Sequence, residues 1–365
     1  MTVLITFLAS LLVFGAVIAI HEFGHFAAAK LAGIQVNEFS IGMGPALLKK
    51  TAGGTQYTLR LLPVGGYVAM EGEGSPEAEQ AEREQDARPP AGPGQRSGIP
   101  FPEAAVWKRA AVMAAGPFMN FVLGFAVLLG LIALRPDPIA SKIIYEVEPG
   151  ALCGQTGLAA GDEIIAINGR RCFVANDIIY ELVRTRDAEA DFTVRRAGQV
   201  IELPGVQFDT YTDADGNARM NMGFTVYALE KTPANILRET VNSELYYGRV
   251  IYTSLLDLVR GRESVNNLSG PVGIVSAISQ AASYGLADLL ELLVLITVNL
   301  GVFNLLPIPA LDGGRLVFLA VEAVIRRPVS QRLQEHLTMA TFILLFGLMI
   351  FATYNDILRL FAGAL

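Results

Sequence analysis

The chain has 365 residues, of which 52% are hydrophobic and 17% charged, against about 25% charged in soluble proteins. A mean hydropathy of +0.43 points to a membrane protein with a sizeable polar part. A net charge of −7 and the lack of a concentrated basic stripe exclude nucleic acid as an expected partner.

Val3 to Ile20 is apolar and uncharged, and His21-Glu22-Phe23-Gly24-His25 continues it directly. No proline occurs before Pro45, so one helix over residues 1 to about 32 can carry both. At about 1.5 Å per residue it outruns a hydrocarbon core of ~30 Å, which places the motif toward its far end. The run lacks a basic start, and cleavage after it would remove or unseat the motif, so it reads as a retained span. On a helix, residues four apart share a face. His21 and His25 can therefore hold one metal ion, with Glu22 beside them as base for a water. The competing reading, two satisfied core histidines, must explain why two of the chain's three histidines fall here. Ionisable groups inside a span are unfavourable unless used.

Val36 to Met70 contains strand-like runs. Thr55 to Leu61 alternates, and Tyr67 to Met70 follows the turn Pro63-Val64-Gly65-Gly66, which predicts a hairpin over about 55–70. Such a hairpin can offer an edge strand to an extended substrate. Glu71 to Pro102 is rich in Glu, Pro, Gly and Gln and reads as a flexible linker over about 71–102. Ala110 to Leu134 is a second span. It carries Gly116-Pro117 and Asn120, an interhelical bridge or a contact to the metal site. Residues 136–229 change character, with charges, glycine turns and short strands, a helix over Asn176 to Arg184 and a hairpin over Phe192 to Leu203. This is a soluble module of peptide-binding type. Its cysteines, Cys153 and Cys172, are either a disulfide or two thiols. Thr232 to Arg262 is amphipathic, lying on the membrane surface or packed on the module.

Leu286 to Leu306 is the third span, and Leu337 to Phe351 the core of a fourth that can extend to Phe361. Between them the chain breaks at Pro307 and Pro309 and reads Leu311-Asp312-Gly313-Gly314. A two-histidine site needs a third protein ligand and an open position. Asp312 is the best candidate; its alternative is a helix cap. Lys30, Lys49, Lys50, Lys108 and Arg109 flank the first two spans, and Arg315, Arg326, Arg327 and Arg332 separate the last two. The positive-inside rule puts these loops in the cytoplasm, with both termini and residues 136–285 outside.

H-E-F-G-H, G-P-F-M-N-F from Gly116, N-L-S-G-P-V-G-I from Asn267 and N-L-L-P-I-P-A-L-D-G-G from Asn304 together resemble the bacterial site-2 proteases of the RseP type, over nearly the whole chain. The resemblance implies one zinc per chain on His21, His25 and Asp312, with Glu22 as catalytic base. It implies Asn304 and the hairpin glycines Gly65 and Gly66 as substrate-positioning residues, and a bacterial inner membrane location. Glu148 to Gly169 resembles a circularly permuted PDZ domain; there is room for one, where the best-known pattern has two. The expected fold is four transmembrane helices with a membrane-associated β-hairpin and an inserted α+β PDZ-like domain. The expected divisions are 1–135 with the first two spans, 136–229 for the PDZ-like domain, 230–284 for amphipathic surface helices and 285–365 for the last two spans. The reaction implied is hydrolysis within or near the span of a single-span membrane protein, an anti-sigma factor or a remnant signal peptide. The rivals are a zinc peptidase acting on surface peptides and a metal-free membrane-anchored adaptor, which has no use for Glu22.

Overall fold

The computed structural model describes residues 3–74, 98–185, 187–212 and 218–362. Among the described residues, four helices are long and apolar enough to cross a membrane, Val3–Ala32, Val106–Leu134, Leu286–Asn304 and Gln331–Phe361. The chain divides into two compact units, Met1–Val127 with Val250–Leu365, and Leu128–Arg249.

In the first unit, α1 (Val3–Ala32) buries Ala9, Val13, Val17, His21, Gly24, His25 and Ala29. The steps of three and four make this a single helical face, with both histidines on it. Val3, Leu4, Phe7, Leu8 and Leu12 are exposed on the same helix, as an acyl-chain environment favours. Gly33, at φ 75°, ends the helix in the left-handed conformation.

β1 (Val36–Ala52) and β2 (Thr55–Met70) form an antiparallel pair that differs from the expected hairpin. Thr55–Leu61 and Tyr67–Met70 do not pair with each other. The tight turn is Gly53-Gly54, with both residues at positive φ. The segment from Val36 to Ile41 pairs on one side with residues 66–70 and on the other with residues 56–59. The expected turn at Pro63 to Gly66 is instead a bend inside one long strand, with Gly65 at φ 80°. Gly66 to Met70 is left as an edge that pairs with no second strand among the described residues. Of the expected linker, residues 75–97 lie outside the described residues. Its flanks are hydrogen-bonded, Phe101 donating to the Glu71 carbonyl at 2.7 Å and Ile99 to that of Gly33 at 2.9 Å.

α2 (Val106–Leu134) contains Pro117 and continues past the unit boundary. The remaining helices of the first unit are α6 (Pro271–Tyr284), α7 (Leu286–Asn304), α8 (Asp312–Ile325) and α9 (Gln331–Phe361). Ala9, Val13 and Val17 pack with Ile278 and Leu293. The N-L-S-G-P-V-G-I stretch opens α6, where the Gly273 N–H donates to Asp356 of α9 at 2.8 Å. A Cβ at Gly270 or Gly273 would lie within 2.9 Å of that carboxylate. The glycines thus seat a buried aspartate at a helix N-terminus, where the helix dipole favours it.

The second unit holds a six-stranded antiparallel sheet. It is formed by β3 (Ile139–Val147), β4 (Glu163–Ile167), β5 (Arg170–Arg171), β6 (Glu189–Arg196), β7 (Gln199–Gln207) and β10 (Phe224–Leu229). Its order is β10-β3-β4-β6-β7, with β5 on β4; β8 (Thr210–Thr212) and β9 (Ala218–Met220) pair separately. The one-turn helix α3 (Leu152–Gln155) and α4 (Ala175–Val183) complete a core around Ile144, Ile164, Ile167, Ile178, Phe192 and Val194. Cys153 and Cys172 are free and buried in that core, not bridged. Burial pushes the Cys172 thiol up to about 12. The amphipathic segment forms α5 (Pro233–Val259). Its Arg249 is paired with Asp177 and Glu181 of α4, and its Tyr246 ring lies 6.2 Å from that of Tyr180.

Candidate metal centre

His21 and His25 share the buried face of α1 because they are one turn apart. Their Nε2 atoms lie 3.3 Å from each other. Asp312 is the first residue of α8, and its Oδ2 lies 3.2 Å from His21 Nε2 and 3.4 Å from His25 Nε2. The N-cap of α8 is Leu311, which makes no side-chain cap bond, and Asp312 stands one residue inside the helix. Its Oδ2 is buried and has no hydrogen bond among the described residues.

Three donor atoms thus form a nearly equilateral triangle. Donors about 2.0–2.1 Å from a tetrahedral zinc stand ~3.3 Å apart. The observed separations fit that ion, and the donor set of two imidazoles and a carboxylate suits it.

The surroundings fix the imidazoles. His25 Nδ1 stands 2.8 Å from the Val112 carbonyl. A carbonyl only accepts, so Nδ1 carries the proton and Nε2 presents its lone pair to the centre. The Asn120 amide is fully buried and stands 3.2 Å from His21 Nδ1. Its Oδ1 has no partner. Turned by half a rotation, the amide accepts from His21 Nδ1–H and leaves that Nε2 free as a donor atom too. The Asn120 backbone carbonyl meanwhile accepts from Thr297 Oγ1 at 3.1 Å. The Asn120 side chain thus makes the contact to the site, while the bond to Thr297 of α7 uses only its backbone.

Close backbone approach makes this convergence possible. A Cβ on Gly24 would fall 2.3 Å from the Ala115 carbonyl oxygen, and one on Gly116 would fall 2.2 Å from His25 Nε2. A Cβ on Gly313 would meet the Leu306 carbonyl at 2.2 Å, and one on Gly314 that of Ile308 at 2.3 Å. The two glycines after Asp312 let α8 start directly against the reversal that follows α7.

Glu22 lines the same cavity of about 350 Å³ as His21, His25 and Asp312, together with Gly66, Tyr67, Val68, Met70 and Asn304. Gly66 lets the edge of β2 pass over Glu22, since a Cβ there would lie 2.9 Å from Glu22 Cγ. The Asn304 Nδ2 is 3.5 Å from His21 Nε2. Gly65 does not line the cavity; its Cβ position faces Met43, 2.8 Å away. Glu73 and Arg315 also line the cavity and are paired with each other. Sequence reasoning assigned Glu73 to a linker and Arg315 to a charge count. The available signal was Arg315 standing three residues after Asp312, one helical turn along the same face. His336, the third histidine, is exposed and outside the cavity.

The family model described as peptidase family M50 matches residues 9–348. Over 98% of its length, the chain is 29% identical to 99% of the Bacillus subtilis protein named regulator of sigma-W protease RasP. It is 31% identical, over 95% of its length, to 94% of a provisionally named zinc metalloprotease of Agrobacterium fabrum. A Brucella suis protein with the same provisional name is 33% identical, with 96% of this chain and 95% of that protein covered.

Proposed function

Because this chain belongs to peptidase family M50 and is a zinc metalloprotease, we propose that it cuts peptide bonds within or near the membrane span of single-span proteins. The observation that carries this reading is the place of the donor triangle. His21 and His25 lie on the buried face of a 30-residue apolar helix with no acidic residue in its first turn and one basic residue, Lys30, in its last. A site built there serves a substrate that is itself in or at the bilayer.

His21, His25 and Asp312 hold the metal, Val112 and Asn120 orient the two imidazoles, and Glu22 is the catalytic base. Zinc, when bound, supplies a Lewis acid that acidifies a water and polarises the scissile carbonyl. Glu22 takes the proton of the attacking water and returns it to the leaving amine. The Asn304 amide, close to His21, donates toward the substrate carbonyl. A helical substrate must unwind before its carbonyl is accessible. The free edge from Gly66 to Met70 offers main-chain pairing that holds the unwound segment extended beside Glu22.

Lys30, Lys49, Lys50, Lys108 and Arg109, with Arg315, Arg326, Arg327 and Arg332, support by the positive-inside rule a bacterial inner membrane orientation with these loops and the metal ligands toward the cytoplasm, and both termini and residues 136–285 outside. The sheet unit acts as a PDZ-like module that restricts access to substrates already shortened outside. A relative carries the name regulator of sigma-W protease, which supports anti-sigma factors as one substrate class; remnant signal peptides, also single-span, are the other class proposed.

The test is paired. Wild type and Glu22→Gln are purified in detergent, their zinc is counted, and both are given a single-span substrate. The reading expects one zinc in each and a cut inside the span by the wild type alone. A cut confined to residues outside the span would favour a peptidase of surface peptides instead.

A further inference from the structure

Beyond His21, His25, Asp312 and Glu22, the described cavity lining holds one further charged pair, Glu73 and Arg315. Glu73 stands three residues past Met70, where the edge segment of β2 ends. Arg315 stands one turn past Asp312 on α8 and donates to Glu73 Oε1. The Glu73 side chain is 7% exposed and that of Arg315 42%. The carboxylate, not the guanidinium, is therefore the buried partner, and only half of it is used. Glu73 Oε2 is buried without a hydrogen bond among the described residues.

The contrast with a fully buried carboxylate of the sheet unit is direct. Asp162 accepts from Arg196 Nε at 2.6 Å, from Arg196 Nη2 at 2.7 Å and from the Ala159 N–H at 2.9 Å. Both of its oxygens are occupied. A buried carboxylate oxygen left open is unfavourable until a donor arrives. At Glu73 that oxygen belongs to a cavity-lining residue, at the end of the strand edge.

Resting on the protease reading above, we propose that Glu73 Oε2 accepts a hydrogen bond from a donor side chain of the substrate. The donor is an amide, a hydroxyl or an ammonium group, and Arg315 holds Glu73 in place to receive it. An aliphatic residue leaves the oxygen unpaired, and an acidic one repels it. Because Gly66 of the edge passes Glu22 and Glu73 follows that edge at a fixed distance along the chain, the donor residue also sets which bond lies at the metal.

The test uses the full chain in detergent and a series of single-span substrates. One Gln is moved through successive positions beside the cut bond in an otherwise Leu segment. For the wild type, the cut is expected to move with the Gln. The best Gln substrate should exceed the all-Leu one in kcat/KM by roughly tenfold, chiefly through KM. In Glu73→Met the advantage should fall to about onefold, with zinc still bound, and Glu73→Gln, which keeps an acceptor, should restore part of it. A role in folding alone would slow both substrates equally. If Glu73→Met fails to hold zinc, the wild type alone decides, since a Glu at the best position must cut more slowly than Leu. Equal rates for Gln, Leu and Glu substrates, or a cut that ignores the Gln, overturns the proposal. A wild type that is zinc-free or cuts no span overturns the protease reading itself, and this inference with it.

Discussion

The sheet unit and the candidate metal centre treat buried charge in opposite ways. In the sheet unit, Asp162 and Asp177 are fully buried, and each has its arginine, Arg196 and Arg249. Glu181, also buried, is met by Arg170 and Arg249. In the helical unit, Asp312 and Glu22 line a cavity with two imidazoles and have no lysine or arginine partner among the described residues. Buried carboxylates are stable when paired. A cluster that keeps its carboxylates yet supplies no side-chain cation is built for a cation from outside. The sheet unit's pairs join one element to another, as Arg249 joins α5 to α4 and Arg170 joins β5 to α4, and need nothing more.

Substitutions that fill or empty the cluster should break this contrast most strongly. Gly116→Val changes no charge, yet its Cβ would stand 2.2 Å from His25 Nε2. It should abolish zinc retention and lower activity by roughly 10³-fold or more, read by metal analysis beside a cleavage assay. Arg249→Met removes the arginine from buried Asp177 and one of the two from buried Glu181. It should destabilise the sheet unit by about 3 kcal/mol, read by thermal unfolding, while zinc content stays at one per chain. Asn120→Leu removes the partner of His21 Nδ1 but no ligand. Zinc affinity should fall by roughly 10- to 100-fold, read by competition with a chelator.

The smallest effect concerns Cys172. Its thiol is raised to about 12 by burial, whereas an unfolded thiol ionises near 8.5. Below that pH both states hold the proton and stability does not respond. Above it the unfolded state loses the proton first, so this group lowers stability as pH rises from ~8.5 toward 12. The Cys172→Ala variant should show a shallower loss over that window in a pH series of unfolding curves.

Much of the site was legible in the sequence because helical spacing is rigid. The four-residue step from His21 to His25 fixed one face of α1, and Asp312 stood out as a carboxylate beside a span. The path of β1 and β2 was not legible. Pro63 to Gly66 has turn composition, but Gly53-Gly54 makes the turn, and alternation alone does not say which side of a strand its partner takes. The purpose of Gly270 and Gly273 was hidden too, since it depends on Asp356, more than 80 residues away. Pairings such as Arg249 with Asp177 leave no local period to read. The closeness of Gly116 to His25 likewise emerges only where two helices cross.

X-ray absorption at the zinc edge tests the central claim most directly, on the full chain purified in detergent. The account predicts a first shell of nitrogen and oxygen at about 2.0–2.1 Å with an imidazole signature from two histidines, lost in Asp312→Ala. A shell containing sulfur at about 2.3 Å, or one unchanged in Asp312→Ala, would contradict it.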